Sequence, residues 1–289
     1  MSDQTIEVGT KRDHPEESPF DHLNISDDSI LKSATDRHKC LRCQKTVKYF
    51  CYRCFDVVGM DRSSVPFLKL PVHLDVVKHE QELDGKSTAI HARVIANEDV
   101  DIYNWQSMPK LENPERTLLL FPGPDAKTLK DIPRDSFDRV IVIDGTWKQA
   151  NKIARETPGL QSLQKVTISP RETHFWRYQQ LSEHHLATIE AIYYFYREYA
   201  EAYETTTAYD GRYDNLLFYY RFFYKLIQDH YRTNSSKRFT HRHGKKDYIK
   251  YDKPIADSHG KDHETTAGTN NKQEPSPSQP ASSSEQNKS

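Results

Sequence analysis

Two unbroken apolar runs stand out along the chain, RTLLLFPGP at 116–124 and RVIVIDGTW at 139–147. Each is closed by turn formers, and a short run without polar alternation is the pattern of a strand buried on both faces. Two further strands are predicted, around 68–74 in PFLKLPVHLDVVKH and at 165–169 in KVTIS. Helical spacing predicts KSTAIHARVIA (86–96), capped by Ser87 or Thr88, and KQANKIARETPGL (148–160), directly after the second apolar run. LATIEAIYYFYREYAEAY (186–203) and DNLLFYYRFFYKLIQDHY (214–231) complete the set. In the last, Leu217, Tyr220, Phe223 or Tyr224, Ile227 and Tyr231 share one face, and an aromatic stripe at that period reads as core before it reads as a base-stacking platform. Strands alternating with helices give an α/β class, a mostly parallel sheet flanked by helices. No internal repeat is visible.

The ends change the picture of where that domain lies. Residues 1–37 hold 9 Asp/Glu against 4 Lys/Arg with little apolar periodicity, and read as a disordered acidic lead. Residues 235–289 pass from a basic stretch, with KRFTHRHGKK at Lys237–Lys246 as an RNA-trailing or nuclear-import segment or a solvated one, to a Ser/Gln/Asn/Pro-rich tail read as disordered. A main domain over 61–234 is left between them. The net charge of −1 removes the bulk electrostatic footprint of a nucleic-acid binder, so any RNA contact must come from a local patch. No apolar run is long enough for a membrane span, and the N-terminus lacks a signal-peptide layout, so an intracellular protein, nuclear or cytosolic, is expected.

All four cysteines fall in CLRCQKTVKYFCYRC as Cys40, Cys43, Cys51 and Cys54, two CxxC pairs seven residues apart. A structural zinc site takes four thiolates in a tetrahedron, and each pair supplies two from one tight turn, so a zinc ribbon or knuckle is predicted over 38–60. Lys39, Arg42, Lys45, Lys48 and Arg53, with Tyr49, Phe50, Tyr52 and Phe55, offer either a small RNA-contacting surface or an ordinary solvated face.

The stretch VIVIDGTWKQANKI carries the most information. Asp144, Thr146 and Trp147 after a buried strand, followed by Gln149 and a helix, resemble the signature of the DTW-domain family. LLLFPGPDA (118–126), FWRYQ (175–179) and LATIEA (186–191) follow the family's order and approximate spacing, and the resemblance runs from the cysteine cluster to about residue 231. Two places depart from the commoner pattern: FPGP lacks the Ser that many relatives carry after the first Pro, and Ala187 lacks a hydroxyl. The resemblance implies a SPOUT-like fold with a C-terminal trefoil knot holding S-adenosylmethionine. It also implies transfer of its 3-amino-3-carboxypropyl group to N3 of a tRNA uridine, in the D-loop at position 20. A monomer without a DNA partner is expected. The remaining classes are a SPOUT-like RNA methyltransferase, distinguished by its byproduct, and a zinc-ribbon RNA-binding adaptor without donor consumption.

The chemistry asks for reactants held in near-attack geometry and an outlet for the N3 proton. Asp144, at the carboxyl end of a buried strand where open α/β sheets place ligands, is the candidate to accept or orient that proton; otherwise it caps the next helix. Trp147 either stacks on a ring or on the sulfonium or anchors its helix, and Thr146 either bonds the donor or caps the turn. Phe121, Pro122 and Gly123 are expected on one wall of the donor pocket, with Asp144 and Gly145 opposite and Leu186, Thr188 and Glu190 closing it. Glu190 grips the donor amino group or forms a capping box. Lys148, Arg171 and Arg177 are the candidates for phosphate contacts, and His73, His91 and His174 are assigned to no metal.

Overall fold

The structure, a computed structural model, describes residues 18–177, 184–234 and 248–249. The four cysteines open the fold. Helix α1 (Ser29–Ser33) precedes two hairpins, β1 (His38–Lys39) with β2 (Thr46–Val47), and β3 (Tyr49–Phe50) with β4 (Val57–Val58). Each hairpin carries one CxxC pair in its turn, with matching backbone bonds: Cys40 N to Lys45 O and Gln44 N to Cys40 O in the first, Cys51 N to Asp56 O and Phe55 N to Cys51 O in the second. The residue after each pair, Gln44 and Phe55, has a left-handed backbone with φ +61° and +62°. Non-glycine residues adopt that region only when the surrounding turn demands it, so both knuckles are wound alike.

The main sheet is five parallel strands in the order β6-β5-β8-β7-β9, comprising β5 (His73–Lys78), β6 (Val100–Asn104), β7 (Thr117–Leu120), β8 (Arg139–Asp144) and β9 (Gln164–Val166). The predicted strand at 68–74 shifts to 73–78. Pro71 has no N–H to give a ladder bonded on both sides, so the strand starts beyond it. β6 was not predicted, because VDIYN mixes polar and apolar residues; as an edge strand it needs no continuous apolar run.

Helix α2 (Ala89–Ile95) links β5 to β6, and α3 (Trp147–Glu156) follows β8. α3 lays Ala150 and Ile153 on Val77, Leu119, Ile141 and Ile143, all on one sheet face by strand alternation. Helix α4 (Thr188–Tyr199), which runs on into a π-helical turn to Glu204, also packs against β8. Helix α5 (Phe218–Thr233) buries Phe218, Tyr219, Tyr220 and Phe222, so its aromatic stripe is core.

Two expected boundaries move. The acidic lead was expected to stay unpacked through residue 37, yet Phe20 and Leu31 are buried, and Arg221 of α5 donates to the carbonyls of Ile25 and Ser26 at 3.2 and 2.6 Å. Those two apolar side chains are too sparse to register as periodicity, but α5 supplies the missing partner surface. In the tail, Tyr248 and Ile249 are buried, with Tyr248 donating to His174 O at 2.5 Å and accepting at its carbonyl from Gln228 at 2.7 Å. The basic run Lys237–Lys246 lies outside the described residues.

Candidate active site

Parallel strands end together, and the loops after β5, β7, β8 and β9 meet at one edge of the sheet with the start of α4. Two adjoining cavities open there. The first, about 200 Å³, is walled by Leu120 at the end of β7 with Phe121 and Pro122 after it, by Val142 and Ile143 of β8, and by Val166 at the end of β9 with residues 167–171 after it. The second, about 390 Å³, carries most of the charged groups and is the polar cavity in that sense, lined among others by Glu82, Lys86, Asp144, Thr146, Phe175 and Arg177. Gly145, Trp147, Leu186 and Thr188 border both, so a single partition separates the two spaces.

Asp144 ends β8 and is only 3% exposed. It is not the helix cap. Thr146 takes that role in a capping box, its hydroxyl accepting from Gln149 N at 3.4 Å while Gln149 Oε1 accepts from Thr146 N at 2.7 Å. The Asp144 carboxylate instead accepts from Ser87 Oγ at 2.6 Å and from Thr188 Oγ1 at 2.5 Å, tying β8 to α4 and to the loop before α2. Burial pushes its carboxyl above the ordinary carboxylate range, and the two hydroxyls and Lys78 offset part of that rise.

The expected caps of α2 are therefore spent on tertiary contacts. Ser87 serves Asp144, and Thr88 Oγ1 accepts from Ile189 N at 3.2 Å. Glu190 is 2% exposed and takes the capping role: its carboxylate accepts from Ala187 N at 2.8 Å, His174 N at 2.8 Å and Thr173 Oγ1 at 2.6 Å, and it lines neither cavity. Three donors hold a charge that desolvation opposes, and burial leaves its pKa raised.

The remaining predicted residues divide. Phe121, Pro122, Leu186, Thr188 and Gly145 converge on the cavities, and Trp147 stands between them, edge-on to His185 at 5.0 Å and tilted against Phe121 at 6.0 Å. Gly145 is the more crowded glycine, since an added Cβ would meet Gln149 Oε1 at 3.1 Å and Gln149 Cβ at 3.2 Å and Gln149 would have to give way. Gly123 is exposed and borders no cavity; a Cβ there would meet only the Lys165 side chain, so the close backbone approach expected at that turn belongs to Gly145. Arg177 lines the polar cavity and donates to Lys86 O at 2.6 Å and Gly85 O at 3.1 Å. Arg171 lines the apolar one, 3.5 Å from Glu198, while Lys148 is exposed and borders neither. Glu82 was missed because it sits in a loop without pattern; Lys86 and Thr167–Ser169 were read as parts of a helix and a strand, but α2 starts only at Ala89 and β9 stops at Val166, and strand order alone brings these loop residues and Pro170 to the cavities.

The four cysteine sulfurs lie within 4.8 Å of one another, with Cys43 Sγ and Cys51 Sγ 3.5 Å apart. Tetrahedral thiolates about 2.3 Å from one ion stand roughly 3.8 Å apart, so the cluster fits a single tetrahedral ion. Around it Lys39, Arg42, Lys45 and Arg53 are exposed, as is Leu41 at 92%. Tyr49 and Phe50 do not join that surface; they pack on α5, with Phe50 4.7 Å from Tyr219 and Tyr49 5.1 Å from Phe222. Phe50 also meets the buried His91, whose pKa burial pulls down to about 3. At the opposite end of the strands His73, Asp75 and Asp101 also cluster, but Arg139 Nη1 donates to both Asp75 oxygens at 2.8 and 2.7 Å, so a cationic side chain already stands against that carboxylate.

The DTW domain profile matches residues 48–228. Proteins called tRNA-uridine aminocarboxypropyltransferase 1 are similar over most of the chain: the Homo sapiens protein is 35% identical over 260 residues, covering 74% of this chain and 85% of its own. The Xenopus tropicalis protein is 33% identical over 260 residues, covering 74% and 88%. No solved structure matches. With its DGTW turn at the meeting point of two cavities and a match across most of its length, the chain belongs to the DTW domain family.

Proposed function

We propose that the chain moves a 3-amino-3-carboxypropyl group from S-adenosylmethionine to N3 of a tRNA uridine, a D-loop uridine at position 20, leaving methylthioadenosine. The observation that carries this reading is the pair of cavities with one partition, because a two-substrate transfer needs two spaces that meet at one point. The apolar cavity suits the donor. Leu120, Phe121, Val142 and Leu186 offer apolar walls for an adenine ring, and Gly145 lets the backbone come close. When bound, the donor supplies a carbon activated by a positively charged sulfur.

The polar cavity suits the nucleobase, with the Arg177 guanidinium, 5.6 Å over the Phe175 ring, as a planar cation and Asp144 at the partition. Both Asp144 oxygens already hold hydroxyls, so its part is to orient and to present negative charge. The names of the relatives support this reading over methyl transfer and over a non-enzymatic adaptor. A trefoil knot, action as a monomer, phosphate contacts at Lys148, Arg171 and Arg177, and a nuclear or cytosolic location belong to the same proposal. Zinc held by Cys40, Cys43, Cys51 and Cys54 would cross-link the two hairpins and supply no reaction chemistry.

The test is to incubate the purified chain with unmodified tRNA and the donor, then to analyse nucleosides and small products by mass. Modified uridine with methylthioadenosine is expected; S-adenosylhomocysteine would assign methyl transfer instead.

A further inference from the structure

The polar cavity holds two carboxylates, and their surroundings differ. Asp144 is closed in, with a hydroxyl on each oxygen. Glu82 is half-buried on the loop that leaves β5, the strand that pairs Lys78 with Asp144 of β8, and its side chain lines the same cavity. Among the described residues its carboxylate has no hydrogen-bond or ion-pair partner, whereas its backbone is held fast. Glu82 N donates to His79 O at 2.9 Å, and Lys78 Nζ donates to Glu82 O at 3.3 Å and to Asp84 at 2.5 Å. Arg177 grips the same loop at Gly85 and Lys86.

A fixed backbone carrying an unengaged carboxylate into a substrate cavity is how a proton acceptor is mounted. On the transferase reading above, we propose that Glu82 is the general base that takes the N3 proton of the uracil. Its carboxylate removes the proton, the N3 electron pair forms the bond to the donor's γ carbon, and the carbon–sulfur bond breaks with its electrons left on sulfur. Methylthioadenosine departs neutral, and the proton on Glu82 passes to solvent through the open cavity.

The groups facing Glu82 are Asp144 from β8, Arg177 from the loop ahead of α4, and Lys86 and Lys78 from its own segment. Burial and the Asp144 charge raise its carboxyl above the ordinary value against the pull of the three cations, which moves it toward the strength a base needs near neutrality.

The experiment is single-turnover release of methylthioadenosine by the full chain with saturating unmodified tRNA and donor, from pH 5.5 to 9. Wild type, Glu82→Gln and Glu82→Asp are compared, with binding of tRNA and donor measured separately. Wild type is expected to show a rising limb that levels off. Glu82→Gln is expected to lose about 10²–10³-fold in rate and to replace that limb with a steady rise with hydroxide, while both binding constants stay within about twofold. Glu82→Asp is expected to keep a displaced limb at an intermediate rate. A Glu82→Gln chain that folds, binds and retains the wild-type rate and limb overturns the proposal. If wild type itself releases S-adenosylhomocysteine, the transferase reading has failed and takes the Glu82 assignment with it, a result that Glu82→Gln alone cannot mimic.

Discussion

Asp75 and Asp144 lie at opposite ends of the same parallel sheet, each 3% exposed, and the protein compensates them in opposite ways. Asp75, near the strand beginnings, is clamped through both oxygens by the Arg139 guanidinium, with His73 3.4 Å away. Asp144, at the strand ends, is held by two neutral hydroxyls. A guanidinium nitrogen shared between both oxygens cancels a carboxylate's charge as it binds them, whereas hydroxyls bind the oxygens and leave the charge in place. The first arrangement makes a closed strut. The second keeps a net anion at the wall of a cavity, which stability alone would not favour and an arriving cation would use.

Removing the guanidinium is the strongest way to test the contrast. Arg139→Met should lower unfolding free energy by about 2 kcal/mol at pH 7 in urea titrations, below the 3–5 typical of a fully buried pair because Arg139 is itself over a third exposed. Activity per folded molecule should stay within about twofold. An unchanged urea midpoint would erase the distinction between the two ends. Removing a hydroxyl at the other end should act differently: Thr188→Val should cost about 1 kcal/mol of stability, yet raise the donor KM several-fold, because Thr188 borders both cavities. Equal loss of stability with no kinetic change would make the hydroxyls as purely structural as the guanidinium.

The smallest effect sharpens the sign. Burial raises Asp144 above its unfolded value, so its contribution to stability is full below about pH 4 and is lost as pH climbs through the folded pKa. Asp144→Asn cannot titrate. Its thermal midpoint relative to wild type should therefore drift upward as pH rises from 4 to 7, and a downward drift would show that Asp144 is stabilised as an anion.

How much of this could be read from residues alone follows from range. RVIVID and TLLL announce buried strands because every side chain in them meets the core, and the CxxC spacing announces its own cluster. The DGTW turn marked the partition, and Phe121, Leu186 and Thr188 came with it. Ser87 and Glu190 were ambiguous for a physical reason. A hydroxyl or carboxylate beside a helix start can cap it or reach across, and only the tertiary placement sends Ser87 to Asp144 while Glu190 both caps α4 and reaches Thr173 and His174. Tyr49 and Phe50 went the other way, since basic neighbours suggested a nucleic-acid face while α5, some 170 residues later, claims the rings. Glu82 had no local sign at all: its neighbours are polar, and its position comes from β5 lying beside β8.

The Tyr248 hydroxyl on the His174 carbonyl has a practical meaning for where this enzyme ends. His174 belongs to the short link whose amide meets Glu190 and which leads three residues on to Arg177. A buried tyrosine beyond residue 234 thus props the link that leads to the Arg177 cavity, and trimming the polypeptide where composition turns hydrophilic would knock out that prop.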